Sequence, residues 1–81
     1  MFYVYILKST ITDKFYIGST SDLEKRLKAH NSGSNRSTKN SRPWVRLYEE
    51  TYNNKPDAIK RELQIKRYKG GVAFKKLIGL V

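Results

Sequence analysis

The chain contains no cysteine and only one histidine among its 81 residues. Without thiols, disulfides cannot brace the fold and thiolate zinc sites are excluded. A single imidazole likewise excludes a histidine-rich metal centre. Long apolar runs are also missing, and none approaches the roughly 20 residues needed to span a bilayer. The N-terminal stretch FYVYIL is apolar, but no basic segment precedes it and no small-residue cleavage site follows it, so it does not read as a signal peptide. A cytoplasmic protein is expected. Acidic residues are scarce: seven Asp and Glu face seventeen Lys and Arg, a formal net charge of +10. That excess in so short a chain implies a polyanionic partner, of which nucleic acid is the commonest. No helix resembles a basic amphipathic membrane anchor. The length allows one domain, residues 1–81. A domain of this size buries only about 60% of the surface its unfolded chain exposes.

Residues 2–7 alternate, with Phe2, Val4 and Ile6 on one side and Tyr3, Tyr5 and Leu7 on the other. Both sets are apolar or aromatic, which predicts a central strand covered on both faces. A turn-rich stretch leads to a second alternating segment, residues 14–19, and the two read as a β-hairpin. Ser21-Asp22-Leu23-Glu24 fits a capping box with Ser21 at the N-cap, opening a helix from about Asp22 to His30. Residues 31–43 are polar and without periodicity. A loop of that length in a compact domain is either functional or unstructured. A third strand is expected over residues 44–52. A second helix follows over 56–68, with Pro56 in its first turn, and a short last helix over 72–78. The order is β-β-α-β-α-α.

On the first helix, Arg26 and His30 are four residues apart and border the Leu23/Leu27 stripe that must face the core. They could wall a cleft. Alternatively, Arg26 snorkels past the core edge and His30 caps the helix C-terminus. On the second helix, Glu62 and Lys66 fall in the middle of an arc formed by Ala58, Ile59, Leu63 and Ile65. A carboxylate in a core-facing arc costs several kcal/mol unless it is paired, hydrogen-bonded or metal-bound. Glu62 therefore either makes an exposed (i, i+4) pair with Lys66, worth roughly 0.3–0.5 kcal/mol, or points into a cleft and holds a cation. Six tyrosines are many for this length. Tyr5 and Tyr16 meet on one sheet face if the hairpin register allows; strand aromatics otherwise serve the core.

Taken together, these residues resemble the GIY-YIG nuclease superfamily. Tyr16-Ile17-Gly18 matches its second signature as it stands, and Tyr3-Val4-Tyr5 occupies the place of the first. Tyr3 stands where that signature has glycine; its tyrosine is kept as Tyr5. Arg26 followed by His30 matches the family's helix, Pro43-Trp44 precedes the third strand as in small bacterial stand-alone members, and Ala58 to Lys66 looks like the helix carrying the metal-binding glutamate. The resemblance extends to the catalytic domain of the excision-repair nucleases of this superfamily.

The resemblance implies an α+β fold: a three-stranded antiparallel sheet flanked by helices. It also implies a metal-dependent endonuclease acting on DNA, with RNA as the alternative, in repair or processing. Glu62 would hold one Mg²⁺ or Mn²⁺, because so few acids cannot easily build a two-metal cluster. Arg26 would neutralise and orient the phosphate. Tyr16 would act as general base or proton relay. A free tyrosine ionises near pH 10, so this role calls for nearby cations. Tyr5 and His30 would orient water or shuttle a proton. Phosphate contacts are expected from Arg36, Lys39 and Arg42 in the loop and from Lys60, Arg61, Lys66, Arg67 and Lys69 on and after the second helix. Such contacts suit low sequence specificity and a monomer or weak homodimer cutting one strand at a time. A module on the same fold that binds nucleic acid without cutting it, or a particle-associated basic protein, is the competing expectation.

Overall fold

The computed structural model describes residues 1–79. Three strands, β1 (Phe2–Ser9), β2 (Phe15–Thr20) and β3 (Trp44–Tyr52), form one antiparallel sheet in the order β2-β1-β3. Three helices complete it: α1 (Leu23–Ser32), α2 (Lys55–Arg67) and α3 (Val72–Leu77). The fold is α+β with the expected element order.

The double-sided alternation of β1 has the expected result. Val4, Tyr5, Ile6 and Leu7 are all fully buried. Val4 and Ile6 join Ala58 and Ile65 of α2 and Phe74 of α3 on one face. Tyr5 and Leu7 join Leu23 of α1 and Trp44 on the other. The sheet thus separates an α1 layer from an α2/α3 layer.

Strict alternation along β3 would place Trp44, Tyr48 and Tyr52 on one face. A bulge breaks it: Leu7 pairs with Arg46 but Ile6 pairs with Tyr48, leaving Leu47 without a partner on β1. One extra residue reverses the parity of everything beyond it. Trp44 can therefore pack with the α1 layer while Tyr48 and Tyr52 pack with the α2 layer.

The helix ends follow local chemistry, with one correction. Asp22, not Ser21, caps α1, its carboxylate accepting from the Lys25 N–H at 3.1 Å. β2 runs on to Thr20, whose hydroxyl accepts from the Asp22 N–H at 3.1 Å and delays the helix start by one residue. Gly33 ends α1 in the left-handed region (φ 83°), where a side chain is disfavoured. Asn54 caps α2.

The expected apolar arc of α2 is also displaced. Ala58 and Ile65 are buried, but Ile59 and Leu63 are 38% and 50% exposed. A three-stranded sheet is too narrow to cover the whole arc. The helix turns its Ala58/Ile65 side inward, leaving Glu62 at the flank.

The polar stretch after α1 is ordered. Within it Thr38 and Ser41 are buried, and residues 39–41 form a 3₁₀ turn. The Ser9 hydroxyl donates to the Ser41 carbonyl at 2.6 Å and accepts from the Ile11 and Thr12 N–H groups, tying the β1–β2 turn to this loop. The Asn31 side chain pairs with the backbone of Trp44, accepting from its N–H at 2.5 Å and donating to its carbonyl at 3.0 Å.

Arg61, expected as a phosphate contact, is committed elsewhere. Its Nε and Nη2 donate to Glu50 of β3 at 2.9 and 3.0 Å. The Tyr48 and Tyr52 hydroxyls donate to the same carboxylate. Burial alone would raise the pKa of Glu50, but the hydrogen bonds from Arg61, Tyr48 and Tyr52 outweigh it and bring it to about 2. Burial and then the Glu50 hydrogen bond push Tyr52 up to about 12.

A folded pKa below the unfolded value near 4.5 means that this stabilisation is complete above about pH 4.5 and is lost as pH falls toward 2. Urea denaturation of the wild type and Glu50→Gln at stepped pH should show the wild-type advantage shrinking by roughly 3 kcal/mol between about pH 5 and pH 2. A difference that stays constant across that window contradicts the pairing.

Candidate active site

Tyr5 lies opposite Gly18 across the β1–β2 pair, and Tyr16 lies opposite Leu7. The register therefore puts both phenols on the α1 face, with ring centroids 6.2 Å apart. A methyl group at Gly18 would stand 2.5 Å from the Tyr5 hydroxyl oxygen and 3.1 Å from the Tyr16 ring. The Tyr5 ring can lie across β2 only because residue 18 has no side chain.

From above, α1 contributes Arg26 and His30. His30 is fully buried, so it belongs to the core face and not to a solvent-exposed helix end. Its ring sits 4.5 Å from the Tyr16 ring. Its Nε2 lies 3.2 Å from the Tyr5 hydroxyl and its Nδ1 lies 2.9 Å from the Thr38 hydroxyl. Arg26 Nε donates to the Tyr5 hydroxyl at 3.3 Å. Its two terminal nitrogens have no hydrogen-bond partner among the described residues and are free to form a planar fork. The Tyr16 hydroxyl is likewise without a hydrogen-bond partner among the described residues, and the residue is partly exposed.

The surroundings keep these groups in defined charge states. Burial and then the Arg26 charge push His30 below the usual imidazole range, so it is neutral at pH 7. Burial raises Tyr5 against the lowering effect of its Arg26 bond, so it remains a protonated phenol. The Tyr5 hydrogen bond comes first among the influences that raise Arg26, with the Glu62 charge a smaller one.

Glu62 enters from the other layer. It lies beside β2 on the α2 face of the sheet, where the Ser19 hydroxyl donates to Oε1 at 2.6 Å and Lys66 donates to Oε2 at 2.5 Å. Its side chain is 16% exposed. The expected pair with Lys66 is formed, but by a mostly buried carboxylate that also holds Ser19. Ser19 and Arg26 both line a cavity of about 240 Å³ with Thr20, Ser21, Lys55 and Ala58. Arg26 also lines a cavity of about 350 Å³ with His30, Ser34, Asn35 and Arg36, and another of about 380 Å³ with Thr20 and Lys25. Arg26 is therefore a wall shared by three neighbouring cavities, which together make a depression spread from α2 across α1 to the loop.

Among the described residues, no three His, Asp or Glu side chains cluster as a metal site. Glu62 is a carboxylate that could hold a divalent ion, but its Oε1 accepts from Ser19 and its Oε2 from Lys66, so such an ion would compete with the Lys66 ammonium. One carboxylate completed by water and phosphate oxygens suits Mg²⁺ or Mn²⁺.

The family model for the GIY-YIG catalytic domain matches residues 1–74. The chain belongs to the GIY-YIG family. It is 39% identical over 67 residues to the UPF0213 protein SH2523 of Staphylococcus haemolyticus, covering 82% of this chain and 80% of that one. It is 46% identical over 68 residues to the UPF0213 protein CPE1444 of Clostridium perfringens, covering 83% and 72%. The solution structure of the UPF0213 protein BH0048 from Bacillus halodurans superposes with a TM-score of 0.61 at 28% identity, covering 99% of this chain and 85% of that one. GIY-YIG membership implies a nuclease-type function, and GIY-YIG nucleases generally use divalent metals.

Within this GIY-YIG domain, Tyr3, standing where the first signature has glycine, packs against the Tyr5/Leu7 cluster. Of the residues expected to contact phosphate, Arg36 lines a cavity with Arg26. Lys39, Lys60, Arg67 and Lys69 are exposed. Arg42 lies back against Gly33, Arg61 is held by Glu50, and Lys66 is held by Glu62. Sequence reasoning missed Ser19, Lys25, Lys55 and Thr38. Ser19 shares the strand face of Ile17, and Lys55 precedes Pro56 in the first turn of α2, so both had a local signal. Thr38 had none. No described helix is long and apolar enough to cross a membrane.

Gly18→Ala tests the close approach of the Tyr5 ring. Overpacking of this kind costs about 1–3 kcal/mol. Thermal denaturation should show that loss, and tyrosine ring NMR signals should shift. An alanine variant with unchanged stability and spectrum contradicts the contact.

Proposed function

We propose that this protein is a divalent-metal-dependent endonuclease that hydrolyses phosphodiester bonds in DNA, acting on backbone and shape more than on base sequence. The observation that carries the reading is the state of Arg26. Its Nε is pinned by a buried phenol, its terminal fork is free, and it walls a cavity whose lining includes Ser19, the hydrogen-bond partner of Glu62. A guanidinium held in this way can grip a phosphate bidentately with little further ordering.

Phosphodiester hydrolysis needs an activated water and stabilisation of the charge that develops on phosphorus-bound oxygens. Arg26 supplies the fixed positive charge. Tyr16 meets the attacking water as general base or proton relay, because its hydroxyl has no competing protein partner among the described residues. His30 and Tyr5 orient that water's surroundings: His30 holds the Tyr5 phenol, and the phenol holds Arg26. Glu62 holds the metal, which when bound supplies further positive charge at the phosphate. Lys25, Lys55 and Arg36 line the depression on either side of Arg26 and suit the flanking phosphates. Amines and guanidinia of this kind read the backbone and not base edges, which favours flaps, branches or single strands over a fixed sequence. RNA offers the same phosphates and is the alternative polymer.

Labelled linear, flap and branched DNA incubated with Mg²⁺, Mn²⁺ or chelator provides the test. Cleavage should require metal. Arg26→Ala and Glu62→Ala should each lower its rate by at least about 100-fold while leaving the circular dichroism spectrum unchanged. Cleavage at wild-type rate by Glu62→Ala removes the metal assignment, and binding without cleavage of any substrate places the protein among non-catalytic modules.

Affinity for DNA should fall linearly on a logarithmic salt scale, with a slope near −0.9 per phosphate contacted. Lys55→Ala should flatten that slope by about one unit, whereas Arg61→Ala should lower stability and leave the slope as it is. Fluorescence anisotropy at several salt concentrations reads both, and equal affinity at low and high salt contradicts backbone recognition.

A further inference from the structure

We propose that Thr38 is a positioning residue that holds His30 in its Nδ1–H tautomer and so sets the direction of the hydrogen-bond chain that ends on Arg26. The kinetic part of this inference rests on the nuclease reading above; the tautomer itself does not.

Donors and acceptors fix the assignment. Arg26 Nε can only donate, and its partner is the Tyr5 hydroxyl oxygen at 3.3 Å. The phenol's own proton then needs an acceptor. Among the described residues, the only other group within hydrogen-bond distance of that hydroxyl is His30 Nε2, at 3.2 Å. Tyr5 is fully buried, so water does not readily take that place. Nε2 must therefore carry a lone pair, and the ring proton of the neutral imidazole sits on Nδ1. That N–H faces the Thr38 hydroxyl oxygen at 2.9 Å. Thr38 in turn passes its own proton toward the Asn35 carbonyl at 3.4 Å. Each link from Arg26 Nε through Tyr5 and His30 to Thr38 then joins one donor to one acceptor. In the opposite tautomer, Arg26 and His30 would both donate to the Tyr5 oxygen and the phenol proton would be stranded in the core. A buried donor without an acceptor costs about 1–3 kcal/mol.

Thr38 is placed to do this work and little else. It is 1% exposed, although it lies in a loop whose neighbours Arg36, Ser37, Lys39 and Asn40 are all exposed. Its backbone carbonyl accepts from Trp44 Nε1 at 2.9 Å, which anchors the residue independently of its hydroxyl. The hydroxyl is thus free to accept from His30 while donating to Asn35, and the indole keeps the loop in register. A hydroxyl on one ring nitrogen selecting what the other presents is the usual way a second partner tunes an imidazole. Here the consequence travels two groups further, to the orientation of the Arg26 fork.

Because the chain has a single histidine, ¹⁵N-histidine labelling gives one ring in the spectrum. Long-range ¹H–¹⁵N correlation of the wild-type protein at pH 7.5 should show a pyrrole-like Nδ1 and a pyridine-like Nε2. Thr38→Val keeps the volume and the backbone carbonyl but removes the hydroxyl. It should move the ring away from a pure Nδ1–H form, and it should lower kcat by about 10- to 100-fold with little change in KM. Thr38→Ser should restore both. A wild-type ring in the Nε2–H or charged form overturns the assignment. So does a folded Thr38→Val protein with the same tautomer and the same kcat. Should Thr38→Val fail to fold, the wild-type spectrum and Thr38→Ser still decide: a serine variant that folds but shows a different tautomer also overturns it. If the wild-type protein cleaves nothing, the nuclease reading fails, while the ring spectra of wild type and variants continue to uphold or overturn the role of Thr38.

Discussion

The buried phenol of Tyr5 ties together the groups behind Arg26. It stands at the middle of the one strand buried on both faces, lies across Gly18 of β2, accepts from Arg26 and touches His30 of α1. Each contact constrains the next. The ring needs residue 18 to lack a side chain, and its hydroxyl needs a donor on one side and an acceptor on the other. A helix laid over the strand supplies both four residues apart, the spacing of one helical turn. Bringing a positive charge beside a buried hydroxyl is tolerable here because only the Nε end of the guanidinium is drawn in, while the terminal nitrogens face the depression.

The two layers of the molecule divide the charge. On the α2 side, Glu50 takes up Arg61 together with two tyrosine hydroxyls, and this closed cluster braces the sheet against the helix. On the α1 side Arg46 pairs with Glu24 and Glu49, whereas Lys25, Arg26 and Arg36 have no carboxylate partner among the described residues and border open space. Glu62 stands beside β2 on the α2 face, sharing Lys66 with solvent. Three tyrosines, Tyr48, Tyr52 and Tyr68, thus serve the structural cluster and its helix, whereas Tyr5 and Tyr16 lie on the α1 face.

Much of this was legible in the sequence because it rests on period. The two-residue alternation of Phe2 to Leu7 announced a central strand, and the four-residue step from Arg26 to His30 put both beside the leucine stripe. The bulge at Leu47 could not be read, since nothing in Trp44 to Tyr52 marks where alternation fails; it is set by what the two layers require of Trp44 and Tyr48. The displaced arc of α2 has a similar origin: Ile59 and Leu63 look like core residues, but the sheet beneath is too narrow to reach them. Arg61 looked like any other cation of a basic helix until the register of β3 set Glu50 beside it. Thr38 was invisible because one buried hydroxyl in a polar loop carries no pattern.

The amide of Asn31 has a consequence for association. By occupying both the N–H and the carbonyl of Trp44, it imitates one residue of a fourth strand and plugs the outer border of the sheet where β3 begins. A second chain cannot zipper onto that border from its first residue. Further along it would meet the charges of Arg46 and Glu49, which discourage indiscriminate stacking. A small protein with little core to spare thereby resists runaway cross-chain pairing without adding a residue for the purpose.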